Sequence, residues 1–423
     1  PIEGIFPCGQ VRSDRVPRPS ASIMRALAFT LGRLRPRYEV PAVAVVVPET
    51  HRFGGSRTAV NAALARTGEV LMSCQVDCGF ISEAKLGELP AGVKALVYPA
   101  PYCPPDEVVA QLRAFVEQGG SLYFSGDISY DPSRKLTRAG RLVELAGVER
   151  TGVTDPKAAP CATATTYRLR GAEALPGDAP ATLFKLGRGQ VVFCADPAEA
   201  RKEQPPWLRP LYLDFLRRAG IARNPVTPNG PELQCFRVPL QGDGKAFVLY
   251  NGGDKPTSAT LTLGEGAPGD SVGVGLAARG SGLVVVDGQG RLTVVETQGV
   301  VTRRGRTVLT ATGHVIVQSL DGRDLTTAAQ LLILPFPGHD STPPVGEQRA
   351  SVTLAGLAGM RCELGELQAT QWTRLEALPA DRAGRLTYDA EQALQMILAA
   401  RPGEFATASQ PVERFARDPA GAP

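Results

Sequence analysis

The chain has 423 residues, of which 43% are hydrophobic and 21% are charged, and it carries 46 basic against 42 acidic residues for a net charge of +4. This is an ordinary composition for a soluble protein, with enough apolar surface for two to four separately cored domains. The basic residues are scattered rather than gathered in the dense stripe that neutralises phosphates, and no apolar run approaches the roughly 20 residues that cross a bilayer. Both observations argue against nucleic-acid and membrane partners.

Eight cysteines and three histidines are spread along the chain, and only Cys74 and Cys78 lie close together. Neither a disulfide framework nor a fourfold zinc ligand set fits this spacing, so we predict buried, inert thiols, no metal and no cofactor. The chain opens on Pro1 without an initiator Met or an export signal. We therefore expect a longer parent protein, and the sequence leaves the compartment open between cytoplasm and secretion.

Residues 1–37 combine an apolar start, a polar turn and a helix whose apolar residues Ile23, Leu27 and Leu31 share one face. Such a piece buries too little surface to offset its chain entropy, so it is predicted to be the end of a larger unit. Exposure of that helical face would make the chain prone to association.

Residues 42–222 alternate short apolar strands with amphipathic helices. AVAVVVP, ALVYPAP and SLYFSGD are predicted strands, and DEVVAQLRAFVEQGG is a predicted helix that ends at its glycines. Strands at this spacing need crossover connections, which predicts a parallel sheet covered by helices on both faces. The segment is therefore expected to form one α/β domain, closed by the helix in WLRPLYLDFLRRAGI.

The texture changes beyond Asn224 to short β-rich runs broken by Gly, Asp and Asn. Repeated units of apolar strand, polar turn and apolar strand predict an antiparallel β-sandwich over residues 230–340. STPPVGEQ then indicates a linker, and residues 346–402 are predicted to form a second, smaller β module. Residues 403–423 show no sustained period and are predicted to be a tail.

Three carboxyl groups are candidate contacts for a sugar or a subunit interface. Glu3 lies near the first strand, and Asp127 and Asp131 lie in GDISYDPSR, at the carboxyl end of a predicted strand, where open α/β sheets bind ligands. The alternative is a solvated chain end for Glu3 and a capped turn for the two aspartates. A glycosidase needs two carboxyls about 5 to 9.5 Å apart on a rigid scaffold, and no such pair stands out in the sequence.

Nucleophilic catalysis would need a Cys or Ser on a sharp strand-to-helix turn with a His base in reach. The strand SLYF leads into Ser125, Gly126 and Asp127, and VVFC leads into Ala195 and Asp196, so neither turn offers a Cys with a His partner. Cys103 precedes a helix start, but no His is near it in sequence. The glycines of GRGQ, DGQG and NGGD are spaced as hairpin turns and predict no nucleotide site.

The opening stretch GIFPCGQVRSDRVPRPSASIMRALAFTL resembles the last strand-loop-helix unit of a (β/α)8 glycosidase barrel. Barrels of this kind carry a turn of the type Arg-x-Asp-Gly-x-Pro-Lys-Pro before the closing helix. Here Arg15 and Arg18 replace the Gly and the Lys.

The following segment resembles the trimerisation domain of family 42 β-galactosidases, a flavodoxin-like domain shaped like a class I glutamine amidotransferase. ALVYPAPYCPPDEVVAQLRAFVEQGGSLYFSGD, RLVELAGV and GRGQVVFCADPAEA carry the resemblance. True amidotransferases have a Cys after the strand matching SLYFSG and a His-x-Glu after the strand matching VVFC, and both are missing here. TATGHVIVQSLDGRDL is similar to sandwich segments of bacterial glycosidases.

The resemblance implies that the chain is the non-catalytic C-terminal part of a β-galactosidase-like hydrolase that cleaves β-glycosides with retention. The two carboxylates of such a barrel follow its fourth and seventh strands and would lie upstream of Pro1, so no catalytic residue is assigned here and the chain alone is expected to be inactive. Implied partners are further copies of the chain, as in a trimer, the catalytic barrel and the parent's carbohydrate substrate.

Two other functions stay open. A carbohydrate-binding or scaffold protein would need exposed aromatic side chains, yet Trp207 and Trp372 stand in contexts that favour core packing. A degenerate amidotransferase-like enzyme would need a Cys and a His brought together, which the two altered turns disfavour.

Overall fold

The structure, a computed structural model, describes residues 30–49, 57–263, 270–335, 349–368, 371–389 and 396–404, with residues 28 and 410. These residues divide into two compact units. The α/β unit spans Glu39–Asn224, and the β unit comprises the described parts of Pro1–Tyr38 and Pro225–Pro423. Within the described residues, no helix has the length and apolar character needed to span a membrane.

The α/β unit contains nine strands and four helices. The strands are β1 (Val43–Val47), β2 (Cys78–Ser82), β3 (Ala95–Tyr98), β4 (Ser121–Ser125), β5 (Val148–Val153), β6 (Thr165–Leu169), β7 (Glu173–Ala174), β8 (Ala181–Leu186) and β9 (Gly189–Cys194). The helices are α1 (Arg57–Ser73), α2 (Asp106–Glu117), α3 (Gly140–Ala146) and α4 (Leu208–Arg218). Short 3-10 turns cover Glu83–Glu88, Pro160–Ala162 and Ala198–Ala200.

The main sheet of this unit has the order β2-β1-β3-β4-β9-β8-β7. Its first five strands are parallel, and β8 and β7 continue the sheet antiparallel. Successive residues of β1 enter different apolar clusters: Val43 and Val45 pack on one face, and Ala44 and Val46 pack on the other. Burial on both faces explains why the central strands read as continuous apolar runs.

Glycine allows the β8–β9 hairpin to lie directly against the end of α2. A Cβ atom on Gly189 would stand 2.2 Å from the carbonyl oxygens of both Val116 and Gly120. No side chain fits at that distance, so only glycine permits this approach.

The β unit contains sixteen named strands among its described residues. They are β10 (Val226–Thr227), β11 (Leu233–Pro239), β12 (Lys245–Asn251), β13 (Thr257–Thr262), β14 (Ser271–Leu276), β15 (Ser281–Val286), β16 (Leu292–Thr297), β17 (Val300–Arg303), β18 (Arg306–Ala311), β19 (Val315–Ser319), β20 (Gln330–Pro335), β21 (Arg349–Leu354), β22 (Arg361–Gln368), β23 (Gln371–Leu378), β24 (Arg385–Asp389) and β25 (Met396–Ala400). Short 3-10 turns cover Gln241–Asp243 and Ala355–Leu357.

These strands form two antiparallel sheets. One has the order β10-β13-β14-β17-β18-β21-β24, and the other has the order β11-β12-β15-β16-β19-β20-β25-β22-β23. A single apolar cluster joins them, with Leu261 and Val274 from the first sheet and Leu249, Val317 and Ile333 from the second. This arrangement is a β-sandwich, and β structure dominates the described chain as a whole.

The strands of residues 346–402 do not form the separate small module that the sequence predicts. β21 pairs with β18, and β24 pairs with β21, so both extend the first sheet. β25 pairs with β20, and β22 and β23 follow it in the second sheet. The polar linker is visible in the sequence, but the sheet edge that each later strand completes is set by long-range pairing.

The predicted barrel unit over residues 1–37 lies largely outside the described residues, as does the tail beyond residue 404 apart from residue 410. The described end of the opening segment belongs to the β unit. Gln241 N donates to the carbonyl of Arg35 across 2.8 Å, and Pro36 forms a β-bridge with Leu240. Leu34 packs against an apolar cluster that includes Leu240, Ala246 and Leu283.

Candidate functional site

The carboxyl edge of the parallel sheet is the candidate site, because open α/β sheets bind ligands there. The loops that follow β3, β4 and β9 form this edge, and they hold both aspartates singled out in the sequence. The third candidate, Glu3, lies outside the described residues.

Asp127 is fully buried and has partners for both carboxylate oxygens. Its Oδ1 accepts a hydrogen bond from Ser129 N at 2.9 Å, and its Oδ2 accepts one from Arg150 Nε at 2.6 Å. Arg150 lies on β5, so this ion pair fastens the loop after β4 to the β5–β6 ribbon. The contact with a sugar or a subunit stays a prediction for Asp127.

Asp131 organises the turn that follows. Its Oδ1 accepts from Lys135 N at 2.9 Å, and its Oδ2 accepts from the Thr137 hydroxyl at 2.7 Å. The Thr137 hydrogen bond, followed by the Lys135 backbone N–H, lowers the pKa of the Asp131 carboxyl. Asp131 has no hydrogen-bond partner in common with Asp127, and its own sugar or interface contact stays a prediction.

The strand-to-loop turn after β4 is sharp, as at the nucleophile position of an amidotransferase. Gly126 has φ +80°, and its N–H donates to the carbonyl of Cys194 at 2.9 Å. The preceding side chain, Ser125, is fully buried: its hydroxyl accepts from Ala100 N at 3.1 Å and donates to Glu199 Oε2 at 2.7 Å. This hydroxyl therefore belongs to an internal hydrogen-bond network.

Glu199 is the centre of that network, and the sequence gave no sign of it beyond a single acidic residue after an apolar strand. The carboxylate is fully buried, and its Oε1 accepts from the hydroxyls of Tyr123 at 2.6 Å and Tyr212 at 2.8 Å. Burial raises the pKa of Glu199, and the hydrogen bonds from Tyr123, Ser125 and Tyr212 oppose that rise. The network joins β4, the turn after β9 and α4.

Arg141 is a second buried polar side chain that sequence reasoning missed. Its guanidinium donates to the carbonyls of Pro104 at 2.9 Å, Ile128 at 3.2 Å and Tyr130 at 3.1 Å, and it pairs with Asp106. Burying a charge in this way requires several partners. Arg141 therefore ties the loop after β3 to the loop after β4.

No nucleophile with a base is assembled at this edge among the described residues. Burial raises the pKa of Cys103 to about 11 and holds that of Cys194 well above its ordinary value, so both stay neutral thiols near pH 7. No histidine lies among the described residues of the α/β unit. In the part of the chain that the structure describes, no group of three or more His, Cys, Asp or Glu side chains could hold a metal ion.

Similarity searches find related folds only among solved structures; no protein-family model and no curated protein matches the chain. The β-galactosidase from Bacillus circulans sp. alkalophilus is 14% identical, with 58% of this chain matched to 41% of that one and a TM-score of 0.42. The β-galactosidase from Rahnella sp. R3 is 18% identical, with 62% matched to 43% and a TM-score of 0.45. That of Halorubrum lacusprofundi is 17% identical, with 66% matched to 44% and a TM-score of 0.47.

The matched structures also include a GH42 β-galactosidase, Gan42B, in a catalytic-mutant form from G. stearothermophilus, at 16% identity. This chain covers 45% of that protein, with 66% of its own residues matched and a TM-score of 0.48. The chain thus spans less than half the length of each of these β-galactosidases.

Proposed function

We propose that this chain is the non-catalytic C-terminal part of a β-galactosidase-like glycoside hydrolase. In this proposal the parent cleaves β-glycosides with retention, through two carboxylates on a barrel that is no part of the described residues. The α/β unit supplies contacts between copies, and the loops of both units shape the cleft.

The observation that carries the proposal is the turn after β4. The barrel-like and trimerisation-domain-like sequence stretches suggest the family, and the strand order β2-β1-β3-β4-β9 supports a flavodoxin-like, amidotransferase-like unit. At the position where such a unit would carry its nucleophile, a buried Ser125 hydroxyl is bonded to Glu199 instead. An internal network at the catalytic position supports a structural role for this unit.

A combined activity and mass measurement tests the proposal. The purified chain should release no nitrophenol from nitrophenyl β-galactoside above the buffer rate, and its mass by light scattering should be a multiple of 44.7 kDa, such as a trimer. Reading the source DNA upstream of the Pro1 codon should reveal an eightfold strand-helix pattern with glutamates at the ends of its fourth and seventh strands.

Two results would contradict this function. Glycosidase or amidase activity in the purified chain would place catalytic groups within it. A monomer at every concentration tested would remove the proposed contacts between copies and favour a scaffold or carbohydrate-binding role.

A further inference from the structure

A polar cavity of about 560 Å³ lies at the other edge of the parallel sheet, at the amino ends of β3, β4 and β9. We call it the basic cavity. Its walls are the loop 89–94, the end of α2 with residues 118–121, the β8–β9 hairpin at 185–190, and the end of α4 at residues 218–219. All of these segments belong to the α/β unit.

The charged side chains of the cavity wall are all cationic: Lys94, Lys185, Arg188 and Arg218. Arg218 is paired with Asp214 at 2.5 Å, and Lys185 Nζ donates to Gln190 Oε1 at 3.2 Å. In the described chain Lys94 and Arg188 have no acidic partner. Like charges this close repel one another, and an anion between them would relieve that repulsion.

Two helices end at the cavity, so the cations could instead serve as partners for the terminal carbonyl groups. At α2 those carbonyls already have backbone partners. Gln118 N donates to Ala114 O, Gly120 N to Phe115 O, Gly119 N to Val116 O and Arg188 N to Glu117 O. The two helix dipoles contribute roughly half a negative charge each. Even with Arg218 neutralised by Asp214, the remaining cations exceed that amount.

The wall also offers neutral hydrogen-bonding groups beside the cations. Gln190 Nε2 donates to the Ser121 hydroxyl at 3.2 Å, and Gln118 lies on the same wall. Such groups suit the hydroxyls of a small polar ligand, and the volume falls within the roughly 300 to 1,000 Å³ usual for small-molecule sites.

We propose that the basic cavity binds the phosphate or sulfate monoester of a small hydroxyl-rich molecule. Arg188 and Lys185 meet the oxyanion, and the amide and hydroxyl groups of the wall contact the uncharged part. This site is separate from the carboxyl edge, and it does not depend on the proposed glycosidase relationship.

Calorimetric titration of the full chain tests the site, with glucose 6-phosphate and glucose 6-sulfate as probes and glucose as the neutral control. Both esters or one of them should bind, and glucose should not; the preferred ester identifies the oxyanion. The K185Q/R188Q variant should weaken binding at least tenfold, while R188K, which keeps the charge, should restore most of it when combined with native Lys185.

The matched control is K157Q/K202Q, which removes two positive charges from exposed positions of the same unit that are no part of the cavity wall. Its dissociation constants should stay within twofold of the wild type. Lys185 and Arg188 are exposed, so both double variants are expected to fold. Absence of ester binding in the wild type, or equal weakening by the two double variants, would overturn the proposal.

Discussion

The Ser125 hydroxyl donates to Glu199 Oε2 across 2.7 Å, although 74 residues separate the two in sequence. Ser125 ends β4, and Glu199 lies in the short 3-10 turn after β9. The hydrogen bond therefore joins the carboxyl ends of two adjacent parallel strands. It also keeps the Ser125 hydroxyl inside the protein, where it stabilises the turn that a nucleophile would need.

Replacing Glu199 by Ala should lower the free energy of unfolding of the α/β unit by about 3 kcal/mol, because three buried hydroxyls lose their acceptor and a cavity remains. Glu199→Gln keeps the shape and one acceptor oxygen and should cost less. Fluorescence of Trp207 during urea unfolding reports on this unit when Trp372, the other of the two tryptophans, is replaced by Phe. The exposed Glu203→Ala is the control; an E199A variant as stable as that control would contradict the structural role.

The stability of the wild type relative to Glu199→Gln should fall as pH rises. Burial raises the pKa of Glu199 above its ordinary value of 4.5, so the folded state holds this proton more tightly than the unfolded state does. Between those two pKa values the folded state binds more protons, and the free energy of unfolding therefore decreases with pH. Urea unfolding of both proteins from pH 4 to pH 8 measures the difference. Parallel curves would show that Glu199 has the same pKa in both states.

Asp127→Ala and Asp131→Ala should differ sharply in stability. Loss of Asp127 leaves the Arg150 guanidinium, which is only 13% exposed, without its carboxylate, and breaking such a buried pair costs about 3 to 5 kcal/mol. Asp131 pairs at the surface with the groups of its own turn, so its loss should have a much smaller effect. Thermal unfolding of the two variants provides the comparison. Equal melting temperatures would mean that Asp127 is not a structural tie.

Gly189→Ala should destabilise the α/β unit by more than about 3 kcal/mol, since the added methyl would overlap two backbone carbonyl oxygens that cannot move independently. Gly140→Ala is the matched control: its Cβ would stand 3.8 Å from Glu144 Oε1, within α3. Alanine favours a helix by up to about 1 kcal/mol, so this change should be neutral or stabilising. Denaturant midpoints that shift equally would contradict the close approach of the hairpin to α2.

Truncation after residue 345 should unfold the β unit and leave the α/β unit folded. The deleted strands complete both sheets, and their removal uncovers β20, whose Leu331 and Ile333 pair with Ala399 and Ile397. An exposed apolar edge of that kind also promotes aggregation. Limited proteolysis should yield a resistant fragment near residues 39–224. A second resistant fragment over 225–335 would support the separate C-terminal module instead.

The sequence by itself determined the local structure of the α/β unit. Apolar runs such as 43–47 and 95–98 are strands, and the amphipathic pattern of 106–117 is a helix, because side-chain periodicity and end signals act over a few residues. The absence of Cys and His at the two turns could also be read directly.

Tertiary structure alone decided which distant groups meet. The pairing of Gln330 with Ala400, the bond between Ser125 and Glu199, the four partners of Arg141 and the cluster of cations at the basic cavity all join segments far apart in sequence. Each contact satisfies a backbone or side-chain group that would be unpaired if buried alone, and a local pattern cannot name its partner. That choice depends on how the sheets are ordered, which only the folded chain settles.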